Sequence, residues 1–193
     1  MSKISTAGNN IQNRTDEEKI EGDRFHTPAS LAERLVDCIP RQDRQKESWL
    51  DPCKGFGAFY DAFPDDAATT HHWCEIEQGR DFFKLKDEHD WIVSNPPFSQ
   101  LTDWIKHTLR LSRIGFAYIL PLYSISHSRL ELIELAGFKC VDIVLFKNPV
   151  SWKIGFQFAF FVFIRTEQLL PDEVASIRRL NDDGTLQSNL NQF

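Results

Sequence analysis

Trp49-Leu50-Asp51-Pro52-Cys53-Lys54-Gly55-Phe56-Gly57 runs from a short apolar stretch into an acid and then into two closely spaced glycines. A strand that ends in such a turn, with a helix opening behind it, presents a ligand to the strand ends of an α/β sheet. Glycine lets the backbone approach a ligand closely, and a helix start can receive a carboxylate or phosphate. The loop lacks G-K-[ST], so it is no Walker-type phosphate loop. By itself, G-x-G fits an ordinary tight turn equally well.

Upstream, a helical pattern begins at Thr27, with Thr27 as cap and Pro28 in the first turn. Leu31, Leu35, Val36 and Ile39 share its apolar face, and Pro40 ends it. Downstream, strands are predicted over residues 70–76, 91–94, 115–120, 141–146 and 156–164, with helices over 101–111 and 129–136. Alternating strands and helices imply an α/β fold with a mainly parallel sheet. No helix separates the last two strands, so they should form an antiparallel hairpin. The expected architecture is one domain over residues 23–166 with a seven-stranded sheet. Residues 1–22 read as a disordered tail, and 167–193 as a short helix and polar tail.

A content of 41% hydrophobic and 26% charged residues suits a soluble globular protein. No apolar run approaches the roughly 20 residues of a membrane span, and the polar start does not resemble a secretion signal, so a cytoplasmic location is expected. Cys38, Cys53, Cys74 and Cys140 are isolated and read as reduced; with no Cys/His framework, no metal is expected. The net charge of −6 argues mildly against a general nucleic-acid binder, but its distribution is uneven. Residues 51–100 carry ten acids against four cations, whereas residues 101–165 carry eight cations against four acids. A polyanion could approach the second half.

Glu75, twenty residues beyond Gly55, should end the next strand, where an acid can accept hydrogen bonds from ribose hydroxyls; Glu77 is the fallback. Asp81-Phe82-Phe83 offers an acceptor beside an aromatic, suited to an adenine amino group and ring face. Asn95-Pro96-Pro97-Phe98 is the most specific feature. The amino group of adenine or cytosine is a poor nucleophile because its lone pair is delocalised into the ring. The Asn95 amide and the Pro96 carbonyl can hold both of its protons and favour a pyramidal nitrogen. Consecutive prolines keep those oxygens aimed at one point, and Phe98 can stack on a base flipped from its helix.

These residues resemble the amino-methyltransferases that modify adenine N6 or cytosine N4, a Rossmann-like family marked by [D/N/S]-P-P-[Y/F/W]. The resemblance covers roughly residues 24–165. It implies S-adenosylmethionine as cofactor, with Phe25-His26-Thr27-Pro28 flanking its methionine end. It also implies Asp51 to Gly57 as the cofactor loop, Glu75 as the ribose acid, Asp81-Phe82 as the adenine-contacting pair and Asn95 beside both ligands. The motif order is that of the gamma class. Trp152 matches the family's second base-stacking aromatic, with Phe146 or Phe156 as alternatives. The large target-recognition domain usual in that class has no counterpart in the roughly thirty residues after the last strand. Little sequence preference, or a partner protein that supplies it, is therefore expected.

Adenine in DNA is the leading expected substrate, followed by adenine in RNA and cytosine in DNA. A protein glutamine is a further alternative, from which Phe98 leans away because glutamine methyltransferases usually carry tyrosine there. A catalytically dead binding subunit is the rival from another class. The intact Asn95, Gly55 and Gly57 argue against it.

Overall fold

Trp91, Ile92 and Val93 are consecutive and all buried, yet they serve two different cores. Successive strand side chains point to opposite faces, so a run with no polar partner face belongs to a sheet covered on both sides. Trp91 and Val93 pack with Trp49, Leu31, Leu35 and Phe59, while Ile92 packs with Leu50, Phe116, Trp104, Ile105 and Ile133. The computed structural model describes residues 25–40, 46–152, 155–169 and 175–188. The expected tail over 1–22 lies outside them.

The strands are β1 (Glu47–Asp51), β2 (Thr69–Trp73), β3 (His89–Ser94), β4 (Ser112–Pro121), β5 (Phe138–Phe146), β6 (Phe158–Arg165), β7 (Ser176–Leu180) and β8 (Leu186–Ser188). They form one sheet in the order β2-β1-β3-β4-β6-β5-β7-β8. Helices α1 (Ala29–Val36) and α2 (Ala58–Ala62) cover one face; α3 (Leu101–Leu111) and α4 (His127–Leu135) cover the other. Strands β2, β1, β3 and β4 pair in parallel, and β6 inserts antiparallel between β4 and β5. The chain steps from β1 to β2 on one side and to β3 on the other. The C-terminal ends of β1 and β3 therefore flank the switch point where α/β sheets bind ligands. Among the described residues, no helix is long and apolar enough to cross a membrane.

The α/β class, the parallel half and the β5–β6 hairpin follow the sequence expectation; the strand number and the C-terminus do not. Eight strands replace seven, and after a single turn at Thr166–Gln168 the described residues form β7 and β8 rather than a helix. Asp142 explains the anchorage. Its buried carboxylate accepts from Ser176 Oγ at 2.8 Å and Arg178 Nε at 2.7 Å, and Arg178 also donates to the Cys38 carbonyl at 2.9 Å. Removing either partner would strand a buried charge, so β7 is fastened to both β5 and the end of α1. Thr27 is not a helix cap: α1 opens after Pro28, whose carbonyl accepts from Leu31 N and Ala32 N at 3.0 Å.

Gly115 on β4 sets how closely the central strands approach. A methyl group there would meet the Phe163 carbonyl oxygen and the Trp91 ring, each at 2.5 Å. One of those atoms is backbone, so the site cannot relax by a rotamer change. Gly115→Ala should destabilise the fold by about 3 kcal/mol, the upper end of overpacking costs. Gly55→Ala, which meets nothing within 4 Å, should cost about 1 kcal/mol through its left-handed backbone alone. Urea unfolding of both variants checks the ranking; equal midpoints would refute it.

Candidate active site

Three strand ends supply the site. At the end of β1, Asp51 is 1% exposed and accepts from Ser94 Oγ at 2.7 Å and from Cys53 N at 3.2 Å. Burial pushes its carboxyl up to about 7, against the lowering effect of those two bonds. Cys53 Sγ lies 3.3 Å from Ser94 Oγ and 3.2 Å from the Asn95 carbonyl oxygen, to which it donates. Burial raises this thiol as well, so it stays protonated and serves as a donor. Asp51, Cys53 and Ser94 thus tie the loop after β1 to the loop after β3. Sequence reading gave Asp51 a place in the cofactor loop and overlooked Cys53 and Ser94, whose residue types carry no motif.

Gly55 and Gly57 both take left-handed φ, +51° and +93°. Gly55 N donates to Glu75 Oε2 at 2.7 Å. Glu75 is half-buried just after β2 and also accepts from Glu77 N at 3.4 Å, while Glu77 itself is exposed. Of the two candidate acids, Glu75 is the one at the loop. Space is open beside Gly55, where a Cβ would touch nothing within 4 Å. Phe56, 84% exposed, lies 4.3 Å from the His26 ring and joins this loop to the segment before α1.

Asp81 is half-buried and accepts from Phe83 N at 3.0 Å, with Lys84 Nζ 3.6 Å away. Phe82 does not accompany it. Its ring is 3% exposed and packs on Trp104 at 4.8 Å and His107 at 4.7 Å. Side-by-side residues of a one-turn helix point in different directions, so Phe82 is core and Phe83, 39% exposed, is the accessible ring.

Asn95 terminates β3. Its Nδ2 donates to the Phe25 carbonyl at 2.7 Å and to Thr27 Oγ1 at 3.3 Å. A carbonyl can only accept, so the amide orientation is fixed by its partner. The other amide atom, Oδ1, is buried and has no partner among the described residues. An unsatisfied buried acceptor costs about 1–3 kcal/mol, so it marks a place where a donor belongs. Pro96 is buried and Pro97 half-buried behind it. Phe98 is half-buried, with ring centroids 6.0 Å from Phe25 and 5.4 Å from Phe158.

Trp152 requires a correction. It is 4% exposed, enclosed by Phe25, Phe146 and Phe158, and its Nε1 donates to the His26 carbonyl at 2.9 Å. A ring so enclosed has no face for a base. It holds the Phe25–Pro28 segment against β6 instead. Of the alternatives, Phe146 is 4% exposed and Phe156 is 37% exposed.

The Asp51 carboxyl makes stability depend on pH in a defined direction. Its folded value lies above the ordinary carboxylate range, so the folded chain binds the proton more tightly. That contribution is present below about pH 4 and is lost as pH rises through about 7. Asp51→Asn can still accept from Ser94 and Cys53 but cannot ionise. Melting temperatures should therefore shift in the variant's favour between about pH 4 and 7, as the wild-type carboxyl ionises. A constant difference across that window would overturn the assignment.

No protein-family model matches the sequence, and no curated protein matches it. Solved structures do match in fold. A Vibrio vulnificus YJ016 protein, assigned as the modification subunit of a type I restriction enzyme, aligns with a TM-score of 0.56 at 14% identity, over 83% of this chain and 48% of its own. The M protein of the type I restriction enzyme EcoKI aligns at 0.52 and 11% identity, over 81% and 48%. Magnesium protoporphyrin IX methyltransferase from Synechocystis PCC 6803, solved with bound SAH, aligns at 0.52 and 10% identity, over 79% and 88%. The chain thus spans about half the length of the two restriction-enzyme subunits. Its fold is the Rossmann-like fold of S-adenosylmethionine-dependent methyltransferases.

Proposed function

We propose that the chain transfers a methyl group from S-adenosylmethionine to the exocyclic amino group of a nucleic-acid base, with adenine N6 in DNA as the leading target. The observation that carries this reading is the Asn95 amide. Its nitrogen is anchored, and its oxygen is buried, without a partner among the described residues, and beside two prolines and an aromatic. An amino group brings the donor that this oxygen lacks. Asn95 Oδ1 accepts one N–H and the Pro96 carbonyl accepts the other, which draws the nitrogen lone pair out of conjugation. Neither oxygen is basic enough to keep a proton, so the loop acts by orientation and polarisation. The proton shed by the methylated nitrogen passes to water, and the cofactor would leave as its neutral thioether.

Residues fitting the cofactor lie on the adjoining strand ends. Glu75 receives the ribose hydroxyls, the left-handed Gly55 leaves room beside it, and Asp81 accepts from the adenine amino group with Phe83 rather than Phe82 as the ring beside it. When bound, S-adenosylmethionine supplies an electrophilic methyl on its sulfonium. Thr27 and Phe25 border the methionine end and keep Asn95 aimed. Phe98 stacks on the target base, and Phe156 replaces the enclosed Trp152 as the second aromatic. Sequence specificity comes from a partner protein, a reading supported by the likeness to modification subunits and by the short loops.

Labelled S-adenosylmethionine with mixed DNA and RNA, followed by mass spectrometry of the nucleosides, should yield N6-methyladenine in DNA. Label confined to protein glutamine, or none with cofactor bound, would overturn the reading. Asn95→Ala should lower turnover by about 10²–10³-fold, the loss typical of one preorganised polar group, with cofactor affinity retained. Glu75→Ala should do the reverse, weakening cofactor binding by about 1.5–3 kcal/mol, as read by calorimetry. Exchange of those two outcomes would mean the two loops have been assigned backwards.

A further inference from the structure

Aromatic rings continue outward from the catalytic loop to the surface. Phe98 meets Phe158 at 5.4 Å, Phe158 meets Phe156 at 5.2 Å, and Phe156 meets Tyr123 at 5.3 Å. Beyond Phe158 burial falls: Phe158 is fully buried, Phe156 is 37% exposed and Tyr123 is 69% exposed. Tyr123 stands at 77° to Phe156, so their contact is edge to face and leaves a broad tyrosine face uncovered.

The outer rings sit on fixed backbone. Leu122 N donates to the Gln157 carbonyl at 3.0 Å, tying the turn that bears Tyr123 to the residue after Phe156. Arg129 secures the same turn from below, donating to the Ser124 carbonyl and to Thr102 Oγ1. A ring presented this way loses little entropy on binding.

Charge selects the kind of partner. In a chain with 28 acids and a net charge of −6, no carboxylate side chain occurs from 104 to 130 or from 143 to 166. Those two stretches contain both outer rings, and Arg129 is bonded directly to the turn that bears Tyr123. An exposed aromatic on a stretch without acids, with an arginine bonded to its turn, suits a polymer that is both anionic and planar-ringed. Tyr123 meets Phe156 from the outside and does not reach Phe98, so its exposed face lies beyond the rings assigned to the target base. A neighbouring base can stack there, provided its face is free. In a duplex both faces of every internal base are already stacked.

Resting on the reading that the chain methylates a base, we propose that Tyr123 stacks the unpaired base next to the target, making single-stranded nucleic acid the preferred substrate. The full chain should bind a fluorescein-labelled single-stranded DNA more tightly than the duplex of the same sequence, measured by anisotropy. Tyr123→Ala should weaken single-strand binding by about 5- to 150-fold, the range for loss of one stacked base, with duplex and cofactor affinities unchanged. Tyr123→Phe and Tyr123→Trp should keep the single-strand affinity, because the ring and not the hydroxyl does the stacking. Wild-type preference for duplex, or equal losses on both nucleic acids, overturns the proposal. So does an altered sedimentation coefficient of Tyr123→Ala with oligonucleotide binding intact, which would assign this rim to a protein contact. If Asn95-dependent methylation of DNA persists while Tyr123→Ala behaves as wild type, the proposal alone falls. If no nucleic acid is methylated by the wild type, both readings fall together.

Discussion

The hydrogen bond from Asn95 Nδ2 to the Phe25 carbonyl joins residues seventy positions apart and decides which amide atom faces the site. With the amide reversed, two oxygens would meet at 2.7 Å, so the orientation is enforced by repulsion as well as attraction. Its position depends in turn on how Phe25 is held. Trp152 donates to the carbonyl of the next residue, and the Phe25 ring rests on Phe98, Trp152 and Phe158. A buried tryptophan thus controls the aim of an amide it does not touch. Preorganisation of this kind is what makes a single acceptor effective, because no rearrangement is needed when the ligand arrives.

A second constraint lies beneath the first. Asp51 is buried with no cationic partner among the described residues, a costly placement that raises its carboxyl to about 7. Hydrogen bonds from Ser94, Cys53 and the Tyr60 backbone offset part of the cost, and the first two come from residues that tie the turn after β1 to the turn after β3. Cys53 completes the connection by donating to the Asn95 carbonyl. The turn after β1 and the turn after β3 therefore move as one unit, although neither is part of a helix or strand. An apolar residue at 51 would relieve the burial cost and lose the link between the two turns.

How much of this was legible follows from what each signal measures. Strands β3 and β4 could be read because both faces are buried, which leaves an apolar run with a proline at its end. The end of β3 before Pro96-Pro97 could be read because proline cannot donate to a ladder. Trp152 and Phe82 were misread because a sequence gives position along an element and not exposure: each ring sits near the site and turns away from it. Strands β7 and β8 were missed because only Leu180 of β7 is buried, so the two-residue period is faint. Their turn did leave a mark. Asn181-Asp182-Asp183-Gly184 ends in a glycine at φ +86°, and Asn181 N bonds Thr185 O at 2.9 Å, the chemistry of a hairpin loop. The chain between the two charged ends reads as a tail only if that turn is ignored.

The sheet itself cannot choose a substrate, since one fold serves many chemistries through the loops grafted on it. What distinguishes this chain is a division of labour between its two halves. The strand ends of β1 and β2 carry the acids, as Asp51 and Glu75, and bond mainly to backbone nitrogens and a hydroxyl. Beyond β3, acids are sparse and rings are dense, and the rings lead outward from a buried amide to an exposed tyrosine. A small, enclosed substrate would have no use for a path that ends in solvent. A long polymer entering base-first would meet both ends of it, with its reacting base at the buried end and the next one at the rim.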